Sequence, residues 1–147
     1  MKTLKLLILS FLLFAFSSRS LGQTFVNKDS IKFFEKYYPA PTGCEVIGNM
    51  IKCNDYVFTW VYEPLKDLPR HQKEMLDQIQ NPRKIEVKVL GVDQVGYLTK
   101  VENLNQLLII GNIKGQCGII NLWQEKPITI TADLPVFVKQ LIEFRAK

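Results

Sequence analysis

Histidine and cysteine are scarce in this chain of 147 residues, which holds one histidine, His71, and three cysteines, Cys44, Cys53 and Cys117. A metal site built on imidazoles needs at least two histidines, and neither HExxH nor a Cys/His cluster occurs. No metal or cofactor is therefore expected. Phosphate-cradling loops are missing too. The run Gly111-Asn112-Ile113-Lys114-Gly115-Gln116-Cys117-Gly118 follows an apolar segment, but it fits neither GxxxxGK[ST] nor GxGxxG. It reads instead as a hairpin turn with glycines at positive φ. After residue 22 there is no GxSxG and no SxxK, the serine-hydrolase signatures. No asparagine after residue 22 opens an N-x-[ST] sequon, which favours a bacterial envelope protein over a glycosylated one.

Long apolar runs are also lacking, with one short exception. Leu6 to Phe16 is eleven residues with a single serine and no charge. A spanning helix needs about 20 apolar residues, so this run is too short to anchor the chain. Lys2 and Lys5 precede it, and the small-residue pattern Ser20-Leu21-Gly22 follows. A positive start, an apolar stretch and small residues at a cleavage point define a secretory signal. Residues 1–22 are expected to be cleaved after Gly22, placing the mature protein in the periplasm or outside the cell, without stable membrane insertion.

Removing the signal also removes most of the positive charge. Lys2, Lys5 and Arg19 leave with it, so 16 Lys and Arg face 14 Asp and Glu, a net of +2 in place of +5. Neither a nucleic-acid footprint nor a polybasic membrane patch survives. Arg83, Lys84 and Lys88 cluster locally and read as a solvated strand face. Residues 23–147 suffice for one globular domain but not two, and no linker or low-complexity stretch divides them. Asp-Leu-Pro occurs at 67–69 and 133–135, but the flanking residues differ, so the tripeptide marks two helix starts and not a repeat.

The clearest local signal is Cys44-Glu-Val-Ile-Gly48-Asn49-Met-Ile-Lys-Cys53. A two-residue Gly48-Asn49 turn sets Ile47 opposite Met50, Val46 opposite Ile51, Glu45 opposite Lys52 and Cys44 opposite Cys53. Every pair is compatible, and an exported chain meets oxidising conditions, so Cys44–Cys53 is the expected disulfide with Cys117 left over. The alternatives are three reduced thiols or a bridge from Cys117. Beyond the hairpin, Tyr56, Phe58, Trp60 and Tyr62 share one face of a strand. They form either a ligand or partner surface or, more simply, core covered by a helix.

Helical spacing of Ile31, Phe34 and Tyr38 predicts a first helix over Asn27 to Tyr38, stopped by Pro39 and Pro41. A second is predicted over Leu68 to Gln80, capped by Asp67, with Leu68, Met75, Leu76 and Ile79 buried. A third follows Asp133, with Leu134, Phe137, Val138, Leu141 and Ile142 on one stripe. Strands are expected at 84–90, 94–102, 107–110 and 119–123, with a short piece at 128–130. The fold class predicted is α+β, a mainly antiparallel sheet of five to six strands with about three helices on one face.

Three functions remain. The first is a small exported binding or interaction protein without catalysis of its own, such as an inhibitor or immunity-type neutraliser of an envelope-active enzyme. The second is a carrier of a small apolar or aromatic ligand held by the 56–62 aromatics. The third is an envelope cysteine hydrolase with Cys117 as nucleophile and His71 as base, which requires a thiolate, an imidazole and an orienting group. No sequence feature brings those two together, and a buried free cysteine is the simpler role.

Overall fold

The computed structural model describes residues 29–145; the expected signal segment and its expected cleavage point lie outside them. Gly48, at φ +55°, and Asn49 turn the chain between the two strands of the predicted ladder. Counting strands from the start of the described chain, β1 is Ser30–Phe33, β2 Lys36–Pro39, β3 Glu45–Ile47 and β4 Met50–Lys52. In the β3–β4 hairpin, Glu45 pairs with Lys52, Val46 with Ile51 and Ile47 with Met50, as the side-chain chemistry predicts. The Cys44–Cys53 disulfide closes its open end across a Cα separation of 4.4 Å.

The ladder continues through β5, Tyr56–Glu63, then across to β9, Gln116–Gln124. Three hairpins complete the sheet: β6 (Arg83–Val89), β7 (Val92–Val101), β8 (Leu104–Ile113) and β9. Leu90-Gly91 and Lys114-Gly115 both have positive φ at each residue, the geometry that matches strand twist in two-residue hairpins. The last strand, β10 (Ile142–Phe144), adds to β6. The result is an eight-stranded antiparallel sheet in the order β10-β6-β7-β8-β9-β5-β4-β3. Both of its edge strands are three residues long.

Side chains alternate across the sheet, and each face buries a different cluster. On the first face, Ile51, Phe58, Trp60, Leu107, Ile109, Ile120 and Leu122 meet Phe33 of the β1–β2 hairpin and Phe137, Val138 and Leu141 of the C-terminal segment. Phe33 sits 5.7 Å from Trp60 and 5.9 Å from Phe58 between ring centroids, and Phe34 sits 4.5 Å from Tyr62. On the second face, Tyr97, Leu108, Ile110, Cys117 and Ile119 lie beneath Leu68, Met75, Leu76 and Ile79. Those four residues belong to helix α1 (Leu68–Leu76) and the turn that follows it. The Gln72 side chain donates to the Ile110 carbonyl at 3.2 Å, pinning the helix to β8.

The predicted count of five to six strands and three helices on one face is wrong. Among the described residues there are two sheets, of two and eight strands, with two α-helices, and these pack on opposite faces. The predicted first helix, within the described residues, is the β1–β2 hairpin. Ile31 and Phe33 alternate inward, and Phe34 turns the chain at φ +54° without a glycine to announce it. Asp67 does not cap α1 through its side chain; a 3-10 turn, Leu65–Asp67, leads in, and the helix ends four residues earlier than expected. The third helix shrinks to α2, Val136–Lys139. Its predicted stripe is buried in full, but Leu134 precedes the helix and Ile142 belongs to β10. The short strand expected at 128–130 is an extended lead into a 3-10 turn, Thr131–Asp133.

Candidate functional site

The 56–62 aromatic row faces the first core. Tyr56, Phe58 and Trp60 are buried, and Tyr62 is half-buried. Their cover is the β1–β2 hairpin together with Phe137 of α2, so a helix supplies only part of it. The Tyr62 hydroxyl accepts the Phe34 N–H and so ties hairpin to sheet. Burial pushes its phenol up, and that amide and the neighbouring Trp60 indole draw it partway back. The indole N–H itself makes no hydrogen bond of good geometry.

Cys117 lies in β9 opposite Glu63 and Asn112, under the start of α1, and is 0% exposed. Burial pushes its thiol up, and the Glu63 and Asp67 carboxylates push it further against a smaller opposing effect from Arg70. A nucleophile requires the opposite shift. His71 is half-buried on α1, where its Nε2 lies 3.4 Å from the Arg70 guanidinium. The fold thus places the two residues on adjoining elements, but among the described residues no hydrogen bond joins them.

A concavity lies elsewhere, at the disulfide end of the sheet. It is an open groove of about 1030 Å³. One wall is the 39–44 loop with the Cys44–Cys53 bridge; the other is the 126–135 loop with the start of α2. Four of the chain's seven prolines, Pro39, Pro41, Pro127 and Pro135, stand in these walls, fixing φ and contributing no N–H. Gln124, buried in the floor, donates its amide to the carbonyls of Lys126 and Asp133, 3.1 Å each, and so binds the second wall to β9. Asp133 folds that wall on itself: its Oδ2 accepts the Thr129 and Ile130 N–H groups and the Thr129 hydroxyl. These donors hold its carboxyl below the ordinary range.

Tyr56 also lines the floor. It is 8% exposed. Burial first, and then the Asp55 carboxylate, push its phenol up to about 12. It remains a neutral donor at any physiological pH. Asp55, Lys126 and Lys139 line the same groove.

No known protein-family model, no curated protein and no solved structure matches this chain. Among the described residues, no group of three or more His, Cys, Asp or Glu side chains is placed to hold a metal ion, and no helix is long and apolar enough to cross a membrane. The groove was not visible in sequence. Its prolines are legible one by one as chain breakers, but they are separated by up to 96 positions and only the fold gathers them.

Proposed function

We propose that the mature chain is an exported binding protein that works by contact with a macromolecular partner, as an inhibitor or immunity-type neutraliser of an envelope-active enzyme does. The observation that carries this reading is the disulfide-end groove. Its walls are fixed by prolines, a cross-link and the Gln124 and Asp133 hydrogen bonds, and preorganised walls reduce the ordering cost of association. Among the described residues that line it, no nucleophile with an adjacent base is found. Function has to be argued from a site, and this site is built to hold and not to react.

The carrier alternative draws less support, because the aromatics assigned to its cavity are packed against Phe33, Phe34 and Phe137. The cysteine-hydrolase alternative is weakened by the burial and raised pKa of Cys117. The test is chemical cross-linking of the oxidised mature protein within an envelope extract, followed by mapping of the linked lysines. Complexes linked through Lys126 and Lys139 support the reading. No complex under several salt and pH conditions, or links confined to lysines away from the groove, would overturn it.

A further inference from the structure

We infer that β5 takes a short extended segment of a partner protein along its open flank at Val61, Tyr62 and Glu63, at the far end of the strand from the groove and independently of it. One flank of β5 is paired along its whole length, from Tyr56 opposite Gln124 to Glu63 opposite Cys117. The other flank is not. β4 pairs only with Val57, Phe58 and Thr59. Single hydrogen bonds carry that contact one residue further each way: Cys53 N–H donates to the Tyr56 carbonyl at 2.9 Å, and Trp60 N–H to the Asn49 carbonyl at 3.1 Å. Gly48 and Asn49 join β4 to β3 on the side away from β5, so no strand flanks Val61, Tyr62 and Glu63 there.

Register decides which backbone groups are left over. Alternate residues of an antiparallel strand direct their N–H and C=O groups to opposite neighbours. The Tyr56 carbonyl and the Trp60 N–H point to β4, so both backbone groups of Tyr62 point to the same side, into the gap, while those of Val61 and Glu63 point to β9. Among the described residues, neither the Tyr62 N–H and C=O nor the Trp60 C=O has a hydrogen-bond partner. A donor and an acceptor spaced as in a ladder are both answered by one residue of another extended chain. A helix cannot answer them, because its own turns consume its N–H and C=O groups.

Side chains beside the gap define the segment further. A strand antiparallel to β5, as both of its existing neighbours are, sets three residues opposite Glu63, Tyr62 and Val61 in that order. The Glu63 carboxylate belongs to a half-buried residue and forms no ion pair among the described residues. A basic residue opposite it supplies a cross-strand charge pair. The position opposite Val61 lies two residues beyond Met50 in the line of β4, with Ile47, 46% exposed, on the next strand. An apolar side chain there extends the row on that face. The segment therefore carries the pattern basic-x-apolar. Pro64 follows β5 directly and has no N–H, so the gap offers one full rung and cannot propagate a sheet.

Amide hydrogen exchange on the oxidised mature chain tests the gap, and the end-blocked peptide Thr-Lys-Thr-Val-Thr-Val tests the occupant. In the free protein the Tyr62 amide should exchange much faster than those of Val61 and Glu63, and the peptide should slow it. Amide shifts in an isotope-labelled titration are expected to concentrate at residues 48–50 and 60–64. N-methylation of the peptide's central threonine removes the donor to the Tyr62 carbonyl and should weaken binding about 2- to 10-fold. Glutamate in place of the peptide lysine should weaken it about 2- to 5-fold, and Glu63→Gln should erase that difference without altering the rest of the spectrum. A Tyr62 amide as protected as its neighbours in the free protein, no peptide shifts at 60–64, or equal binding of the N-methylated peptide would overturn the inference. Tyr62 protection that grows with protein concentration in the absence of peptide would make the occupant a second copy of this chain and overturn it as well.

Discussion

Replacing both Cys44 and Cys53 with serine removes a cross-link that spans nine positions at the end of a correctly paired hairpin. The chain-entropy relation for a loop of about ten residues gives about 2.7 kcal/mol of lost stability at 25 °C. An unfolding entropy of about 2.1 cal/mol/K per residue, over residues 23–147, converts this to a fall in Tm of about 10 °C. The fold itself should persist, because Val46–Ile51 and Ile47–Met50 still pair and β4 still docks on β5. Thermal unfolding followed by far-ultraviolet circular dichroism, with urea unfolding for the free energy, measures both quantities. Reduction of the wild-type protein should reproduce the double variant. A loss below about 1 kcal/mol would refute the reasoning, because it would mean the unfolded chain gains no freedom when the link is cut. A loss well above about 5 kcal/mol would refute it in the other direction, because the bridge would then be holding the 39–44 loop and more of the fold in place.

Gly118 in β9 faces Ile113 of β8 and Phe34 of the β1–β2 hairpin. A Cβ there would stand 2.7 Å from Ile113 Cδ1 and 3.0 Å from Phe34 Cζ. Gly118→Ala should therefore cost about 1–3 kcal/mol in urea unfolding, and an unchanged midpoint would show that the hairpin can shift freely. Native Cys117 should resist alkylation at pH 8 and react fully once guanidinium unfolds the chain; fast native labelling would contradict its burial and raised pKa. The lowered pKa of Asp133 means its stabilising contribution is complete above the ordinary carboxylate value of 3.8 and is lost as pH falls through the lower folded-state value. Wild-type Tm should thus fall more steeply on acidification than that of Asp133→Asn, and parallel curves would remove Asp133 from the account.

How legible this chain was depends on what kind of information each element carries. The 44–53 hairpin was readable to the residue, because its turn glycine, its charge pair and its cysteines all demand one register. The strand at 84–90 was readable from clean alternation of Ile85, Val87 and Val89. By contrast, Ile31, Phe34 and Tyr38 fit a helical spacing while Ile31 and Phe33 fit a strand, and the turn at Phe34-Glu35 lacks the glycine or asparagine that decides such cases. The C-terminal stripe shows the limit from another side. All five of its apolar residues are buried as predicted, but burial does not specify backbone conformation: the helix begins only after Pro135, and from Ile142 the chain pairs with β6, leaving four helical residues. The groove was illegible for a different reason. It depends on the endings of β5 and β9 and on loops distant in sequence, and no local pattern encodes which loops become neighbours.

The two flanks of the eight-stranded sheet, β3 and β10, each offer only three rungs, and β3 is cinched by a cystine next to its first residue. A wide sheet is ordinarily a template on which other extended chains can zip, and short margins take that opportunity away. Such trimmed borders leave few unpaired rungs on which a neighbouring chain could extend the sheet into a fibril.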